Sequence, residues 1–442
     1  MTESRLLIDG TRITDHWVTV PLDWEDPAGE TIDVYAREFI GAEALAKGEG
    51  HVSALPYLLF LQGGPGGKGS RPARLSGWMA ELATDFRILM LDQRGTGLSA
   101  RLDRHSIIPR GSHAQRAAYL RNFRADSIVK DAEALRQQLG IDSWTVFGQS
   151  FGGFCTLTYL SFAPEHLDRA LITGGLAPLT GHAERVYQHT YRRMAARNAE
   201  YFARFPEDRE RIDAVFAHLR ENYVSLPDGS ALTPGRLQLL GMALGGNTKV
   251  DALHYLLEEA FTGPDRRELS DTFLAEVGQR VSFAGNPMYA VMHESIYGQP
   301  AEITGGHGPT SWSAAHVRHQ FPEFDGEAES PLLLGEMILQ EHVYLDPVLA
   351  PGPDDSGLFG TAEALAAVDD WGPLYDLDQL ARNTVPAAAC VYTDDVFVDR
   401  DLSVETAGRV ANLSVYETDK FHHDGIHEDG PKILRELLKL TD

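Results

Sequence analysis

The hydrophobic pattern changes character twice along the 442 residues. Near the start, His16-Trp17-Val18-Thr19-Val20-Pro21-Leu22 and Thr31-Ile32-Asp33-Val34-Tyr35-Ala36-Arg37-Glu38-Phe39 are rich in β-branched and aromatic residues. Between them, Glu25-Asp26-Pro27-Ala28-Gly29-Glu30 is turn-forming, so the pattern predicts a hairpin. Residues 41–51 read as an exposed loop. Tyr57-Leu58-Leu59-Phe60-Leu61 and Phe86-Arg87-Ile88-Leu89-Met90-Leu91 are short apolar runs of the kind buried parallel strands require. Residues 127–139 place Ile128, Val129, Ala132, Leu135 and Leu139 near helical spacing. Residues 144–147 and 171–173 read as further strands. Strands alternating with helices predict an α/β fold with a mostly parallel sheet.

After Pro178 the alternation stops. Residues 182–345 carry helical patterns, at 183–205, 207–223 and 251–261 among others, and are rich in Arg, Glu, His and Tyr. Residues 350–370 open on Pro351-Gly352-Pro353-Asp354-Asp355, which predicts an exposed loop and then a short helix. The strand pattern returns at 385–392 and 411–416, and a helix at 431–440 closes the chain. The economical reading is one interrupted α/β domain. Residues 1–177 are its first part, 178–380 an inserted helical cap, and 381–442 its second part. There is no internal repeat or low-complexity segment.

Composition narrows the setting. The 43% hydrophobic content is ordinary for a globular protein with a sizeable core. No run of 18 or more apolar residues is present, which predicts no membrane span. Met1-Thr2-Glu3-Ser4-Arg5 lacks the basic-then-apolar pattern of a secretory leader. Cys155 and Cys390 are the only cysteines, too few for a disulfide framework. Both suit small buried thiols in a reducing compartment, so a cytoplasmic location is expected. The net charge of −25 argues against nucleic acid and anionic membrane as partners.

The candidate chemistry centres on Gly148-Gln149-Ser150-Phe151-Gly152-Gly153, between a predicted strand and the apolar stretch that begins at Phe154. Strand, G-x-S-x-G turn and helix make a nucleophile elbow that lifts the Ser150 hydroxyl clear of the sheet. A serine hydroxyl needs a base and an acid to orient that base. In elbow hydrolases they follow in the order Ser, Asp or Glu, His. The loop Thr393-Asp394-Asp395 after a late strand supplies the acid, with Asp395 preferred to Asp394. The loop His422-His423-Asp424-Gly425 supplies the base, with His423 preferred to His422. Gln62-Gly63-Gly64-Pro65-Gly66-Gly67 follows another strand, and a backbone N–H at Gly64 would join that of Phe151 in an oxyanion hole. Asp92 and Arg94, in the next turn, are expected to brace this glycine loop. No metal or organic cofactor is required.

Gly63-Gly64-Pro65-Gly66-Gly67, Asp92-x-Arg94-Gly95-x-Gly97-x-Ser99 and the Ser150 elbow together resemble the prolyl aminopeptidase (proline iminopeptidase) family of α/β-hydrolases. Val20-Pro21-Leu22-Asp23-Trp24 resembles the N-terminal hairpin of its larger members, and His423-Asp424-Gly425 their histidine loop. Two positions depart from the family: Gln62 stands where His is usual, and Thr393-Asp394-Asp395 replaces a common Gly-Arg-x-Asp. The resemblance implies a serine aminopeptidase that releases N-terminal proline from small peptides through an acyl-enzyme. Such an enzyme must read a cationic secondary amine beside a small ring, and cap carboxylates suit that task. Glu294 and Glu336 lie in segments that resemble the family's amine-binding region, and Glu341 is a third candidate. Phe151, Tyr297 and Tyr344 are candidates to pack on the ring. An esterase or lactonase on the same scaffold, or a non-catalytic binding protein of this fold, are the alternative readings.

Overall fold

The computed structural model describes every residue except 1–3, 264, 266, 354 and 355. Seven strands precede the helical segment: β1 (Ser4–Leu6), β2 (Arg12–Pro21), β3 (Thr31–Ile40), β4 (Tyr57–Leu61), β5 (Arg87–Asp92), β6 (Trp144–Gln149) and β7 (Leu167–Thr173). Two small hairpins lie within that segment, β8 (Val224–Ser225) with β9 (Ala231–Leu232) and β10 (Phe261–Thr262) with β11 (Glu268–Leu269). Strands β12 (Ala387–Tyr392) and β13 (Leu413–Thr418) follow it. Among the described residues, nine strands form the main sheet, in the order β1-β2-β3-β5-β4-β6-β7-β12-β13. The first three are antiparallel to their neighbours, and every pairing from β5 to β13 is parallel. This is the α/β architecture that the alternating pattern predicts.

The apolar runs become central strands because both faces of the sheet are covered. Leu59, Leu61, Leu89, Leu91 and Val146 face one layer, with Ile128, Leu135, Leu157 and Tyr159 from the helices Ala125–Gln138 and Phe151–Phe162. Leu58, Phe60, Ile88, Met90 and Phe147 face the other, against Trp78, Met79, Ile433 and Leu437. Neighbouring residues of one strand thus serve opposite cores, as the two-residue repeat of a strand demands. The C-terminal helix begins at Gly425, earlier than predicted, and carries a non-helical Asp429 ahead of Pro431.

One local prediction fails. Residues 41–51 are not a plain loop but hold two short helices, Ala42–Ala46 and Glu49–Ala54. The stretch is rich in helix formers, and Ala44 and Val52 bury against Ile40 in a small separate cluster. In the predicted loop at 351–355, Asp354 and Asp355 lie outside the described residues, as do Met1, Thr2 and Glu3 of the N-terminal motif.

Between β7 and β12 the chain first builds a core of its own. Helices Ala183–Arg204, Glu207–Glu221, Val250–Glu258 and Asp271–Arg280 bury Tyr187, Tyr191, Phe216, Leu253 and Phe273 together. The later part returns to the sheet layer: Met288, Ile296, Ile338 and Leu365 join the core beneath the Ser150 helix. No helix among the described residues is long and apolar enough to cross a membrane. Cys155 and Cys390 are buried free thiols.

The Arg94 guanidinium is buried and donates to Asp131 at 2.7 Å and to the carbonyls of Leu22 and Asn122, each at 2.7 Å. Trp24 Nε1 donates to the same carboxylate at 3.1 Å. Arg94 therefore fastens the N-terminal hairpin to the Asp131 helix and does not brace the glycine loop as predicted. Removing one partner strands a charge in the core. Asp131→Ala should lower stability by about 3–5 kcal/mol, measured as the shift in the urea midpoint at constant slope.

Candidate active site

The elbow sits where β6 meets the helix Phe151–Phe162. Ser150 is held at φ 55°, ψ −125°, a conformation that a non-glycine residue keeps only when its surroundings impose it. Here Ser150 N donates to Thr173 O at 3.0 Å, and Gly152 brings the helix onto β4. A Cβ on Gly152 would fall 1.9 Å from Leu61 O, so no other residue permits this approach. The Ser150 hydroxyl is thereby raised at the C-terminal edge of the parallel strands, between two loops of the same edge.

Those loops bring a carboxylate and an imidazole to it. His423 Nε2 lies 2.9 Å from Ser150 Oγ, and His423 Nδ1 lies 2.8 Å from Asp395 Oδ2. Asp395 is buried, and its other oxygen accepts from the backbone N–H groups of Phe397 at 2.8 Å and Val398 at 3.0 Å. The competing residues turn away. Asp394 is exposed near Arg193, and His422 Nδ1 faces the Asp394 carbonyl at 2.9 Å. Burial alone would lower the His423 pKa. The charge and hydrogen bond of Asp395, with a smaller contribution from Glu336, outweigh burial and raise it to about 8.

The glycine loop approaches the nucleophile through Gly63, where an added Cβ would fall 2.9 Å from Ser150 Cβ. A Cβ on Gly64, the predicted donor, would meet the amides of Gly66 and Gly67 instead. Gly63 is thus the glycine that abuts Ser150. Asp92 holds the chain just beyond the loop: it accepts from Gly69 N at 2.9 Å and pairs with Arg71, and it accepts from Leu98 N of its own turn at 2.8 Å, while Gln93 Nε2 donates to Gln62 O of the loop at 3.0 Å.

The predicted amine-reading residues separate. Glu336 accepts from Tyr289 Oη at 2.9 Å. Its carboxyl is pushed up to about 7, chiefly by burial, while neighbouring His423 pulls it back down. Glu294 accepts from the N–H groups of Ser313 and Ala314, each at 3.0 Å, yet burial again pushes it up to about 7. Tyr297 packs between Tyr187 and Phe154, with ring centroids at 6.4 Å and 5.9 Å, and feels the charges of both glutamates and of Asp395. Glu341 lies elsewhere. It is partly exposed, packs on Gly235 and pairs with Arg318 at 3.2 Å, and neither partner touches the triad residues. Tyr344 is exposed and leans edge-on against Phe359.

Three contributors escaped the sequence reading. Phe397 sets its ring 5.1 Å from that of His423. Tyr289 holds Glu336. Gly174, at φ 50°, leaves room for the acid–base pair, since a Cβ there would fall 3.3 Å from His423 Nδ1. Only the last had a local signal, the Gly174-Gly175 pair directly after β7.

A family model described as the alpha/beta hydrolase fold matches residues 56–225. A proline iminopeptidase of Aeromonas sobria is 40% identical over 98% of this chain and 98% of its own length. The chain belongs to the proline iminopeptidase family. A proline iminopeptidase of Aspergillus aculeatus is 31% identical over 97% of the chain and 94% of its own length. The solved proline iminopeptidase of Mycobacterium smegmatis aligns over 96% of the chain and 97% of its own, at 16% identity and a TM-score of 0.40. The fold is the α/β-hydrolase fold.

In this family member, only neutral His423 can accept a proton from Ser150. Phosphonylation of Ser150 by an uncharged organophosphonate should therefore fall about tenfold per pH unit below a midpoint near 8 and level off above it. Glu336→Gln removes an anion that favours the imidazolium, so its midpoint should move to lower pH. The pH profile of the inactivation rate checks both.

Proposed function

We propose that this protein is a serine aminopeptidase that releases N-terminal proline from small peptides, with residues 178–380 acting as the cap. The observation that carries this reading is the buried Glu336 carboxyl beside a linked Ser150, His423 and Asp395, with a second buried carboxyl, Glu294, sharing Tyr297 as a neighbour. A hydrolase of neutral esters has no use for such a carboxyl next to its base.

The geometry supports a definite sequence of steps. With Nδ1–H donated to Asp395, His423 presents the lone pair of Nε2 to Ser150 Oγ at 2.9 Å. As Ser150 attacks the prolyl carbonyl, His423 takes the serine proton. The N–H of Phe151 and an N–H of the Gly63-Gly64 stretch hold the developing oxyanion at the positive end of the helix Phe151–Phe162. His423 then protonates the leaving amine. Water, activated by the same histidine, hydrolyses the prolyl ester and restores Ser150.

Glu336 is the direct partner of the substrate ammonium. Its Tyr289 bond occupies one oxygen, whereas both oxygens of Glu294 already accept backbone N–H groups. Glu294 adds negative charge and shapes the pocket through the Ser313 helix. Tyr297 and Phe151 supply apolar surface for the ring. Two buried free thiols suit a reducing compartment, and we place the enzyme in the cytoplasm.

Proline p-nitroanilide should be cleaved rapidly, its N-acetylated form and the alanine analogue far more slowly. Equal cleavage of the acetylated compound would overturn the amine-reading site. Glu336→Gln should raise KM for the free-amine substrate about tenfold to hundredfold, the worth of a charge-assisted hydrogen bond. Glu294→Gln should cost less, as read in the same steady-state assay.

A further inference from the structure

We propose that the helical segment positions the catalytic histidine through a clamp on Asp424, so that Gly246, Asn247 and Thr248 complete the active site without touching substrate. This rests on the reading of His423 as the general base.

His422, His423 and Asp424 each have a partner in the segment. His422 Nε2 lies 3.7 Å from the Glu200 carboxylate. The backbone N–H of His423 donates to Gly245 O at 2.9 Å. Asp424 accepts from Asn247 N at 3.1 Å, from Thr248 N at 3.2 Å and from Thr248 Oγ1 at 2.5 Å. These bonds hold the Asp424 carboxyl below its ordinary pKa against the effect of burial. The contacts are tight. A Cβ on Gly246 would fall 1.9 Å from Asp424 Cγ, and one on Gly245 would fall 2.1 Å from the Phe397 ring that faces His423.

The clamping loop is itself anchored. Arg197, buried on the helix Ala183–Arg204, donates to Leu244 O at 2.9 Å, to Gly246 O at 3.3 Å and to Asn247 Oδ1 at 3.0 Å, and pairs with Glu200 at 2.6 Å. Asn247 Nδ2 reaches Glu428 Oε1 at 3.2 Å, beyond the histidine loop on the C-terminal helix. The loop after β13 is thus held on both sides, and the backbone that carries the imidazole cannot shift without breaking bonds to the segment. Phe397 makes the second connection, since a Cβ on Gly335, beside Glu336, would fall 3.1 Å from its ring. One frame therefore carries the base and the carboxylate that reads the substrate.

Gly246→Ala forces the carboxylate away, and Asp424→Ala removes the acceptors. Each should lower kcat per titrated active site about tenfold to hundredfold, the scale of small displacements of a catalytic group. KM for proline p-nitroanilide should stay within about twofold, because substrate contacts are intact. Asp424→Asn, which keeps one acceptor oxygen, should recover part of the loss. In the Asp424→Ala background Gly246→Ala should add little, because the carboxylate it displaces is gone. Additive losses, or wild-type kcat per active site in both single variants, would overturn the clamp. Phosphonylation of Ser150 in the same variants reports histidine positioning independently. A wild type that reacts with the phosphonate but ignores the proline substrate would sink the aminopeptidase reading and leave the clamp to be decided by those rates.

Discussion

The approach of one helix to one strand governs this molecule. The helix Phe151–Phe162 can lie on β4 only because Gly152 presents no side chain to the Leu61 carbonyl. That closeness forces the turn before it into a left-handed residue, and the residue there is Ser150. The strain is held by the sheet through Thr173 and by the cores on either face, which bury the helix on nearly every side. Everything else at the site is arranged around a hydroxyl whose place is set by backbone packing.

The parallel strands end at one edge, and their loops bring the remaining groups there. Asp395 follows β12 and His423 follows β13, so acid and base arrive from adjacent strands at the register that sheet pairing sets. The sheet alone does not finish the job. Val396 and Phe397 of the Asp395 loop belong to the core of the helical segment, and His423 and Asp424 are hydrogen-bonded to that segment. The helical segment is therefore one wall of the site.

Much of this was legible from residues alone. The continuous apolar runs at β4, β5 and β6 announce strands covered on both faces, and the order of serine, acid and histidine follows from chain topology. What stayed hidden depends on which way adjacent residues point. Asp394 and Asp395 are chemically identical neighbours, and only the amides of Phe397 and Val398 draw one of them inward. His422 and His423 differ in the same way. Glu341 and Glu336 lie five residues apart, yet one pairs with Arg318 and the other faces Tyr289, because the turn between them is fixed by long-range packing. Helices Ala42–Ala46 and Glu49–Ala54 were missed for a plainer reason: their apolar positions are too few to show a period.

Burial gives the two carboxyls a character unlike that of surface glutamates. Each is pushed up to about 7 and so gives up its proton near neutral pH, where a surface glutamate has already lost its own. On the proposed reading, the ammonium that meets Glu336 stabilises its charge and sends that one proton to solvent. Binding there is an ion exchange, one hydrogen ion for one ammonium, and a peptide whose end is blocked has no charge to trade.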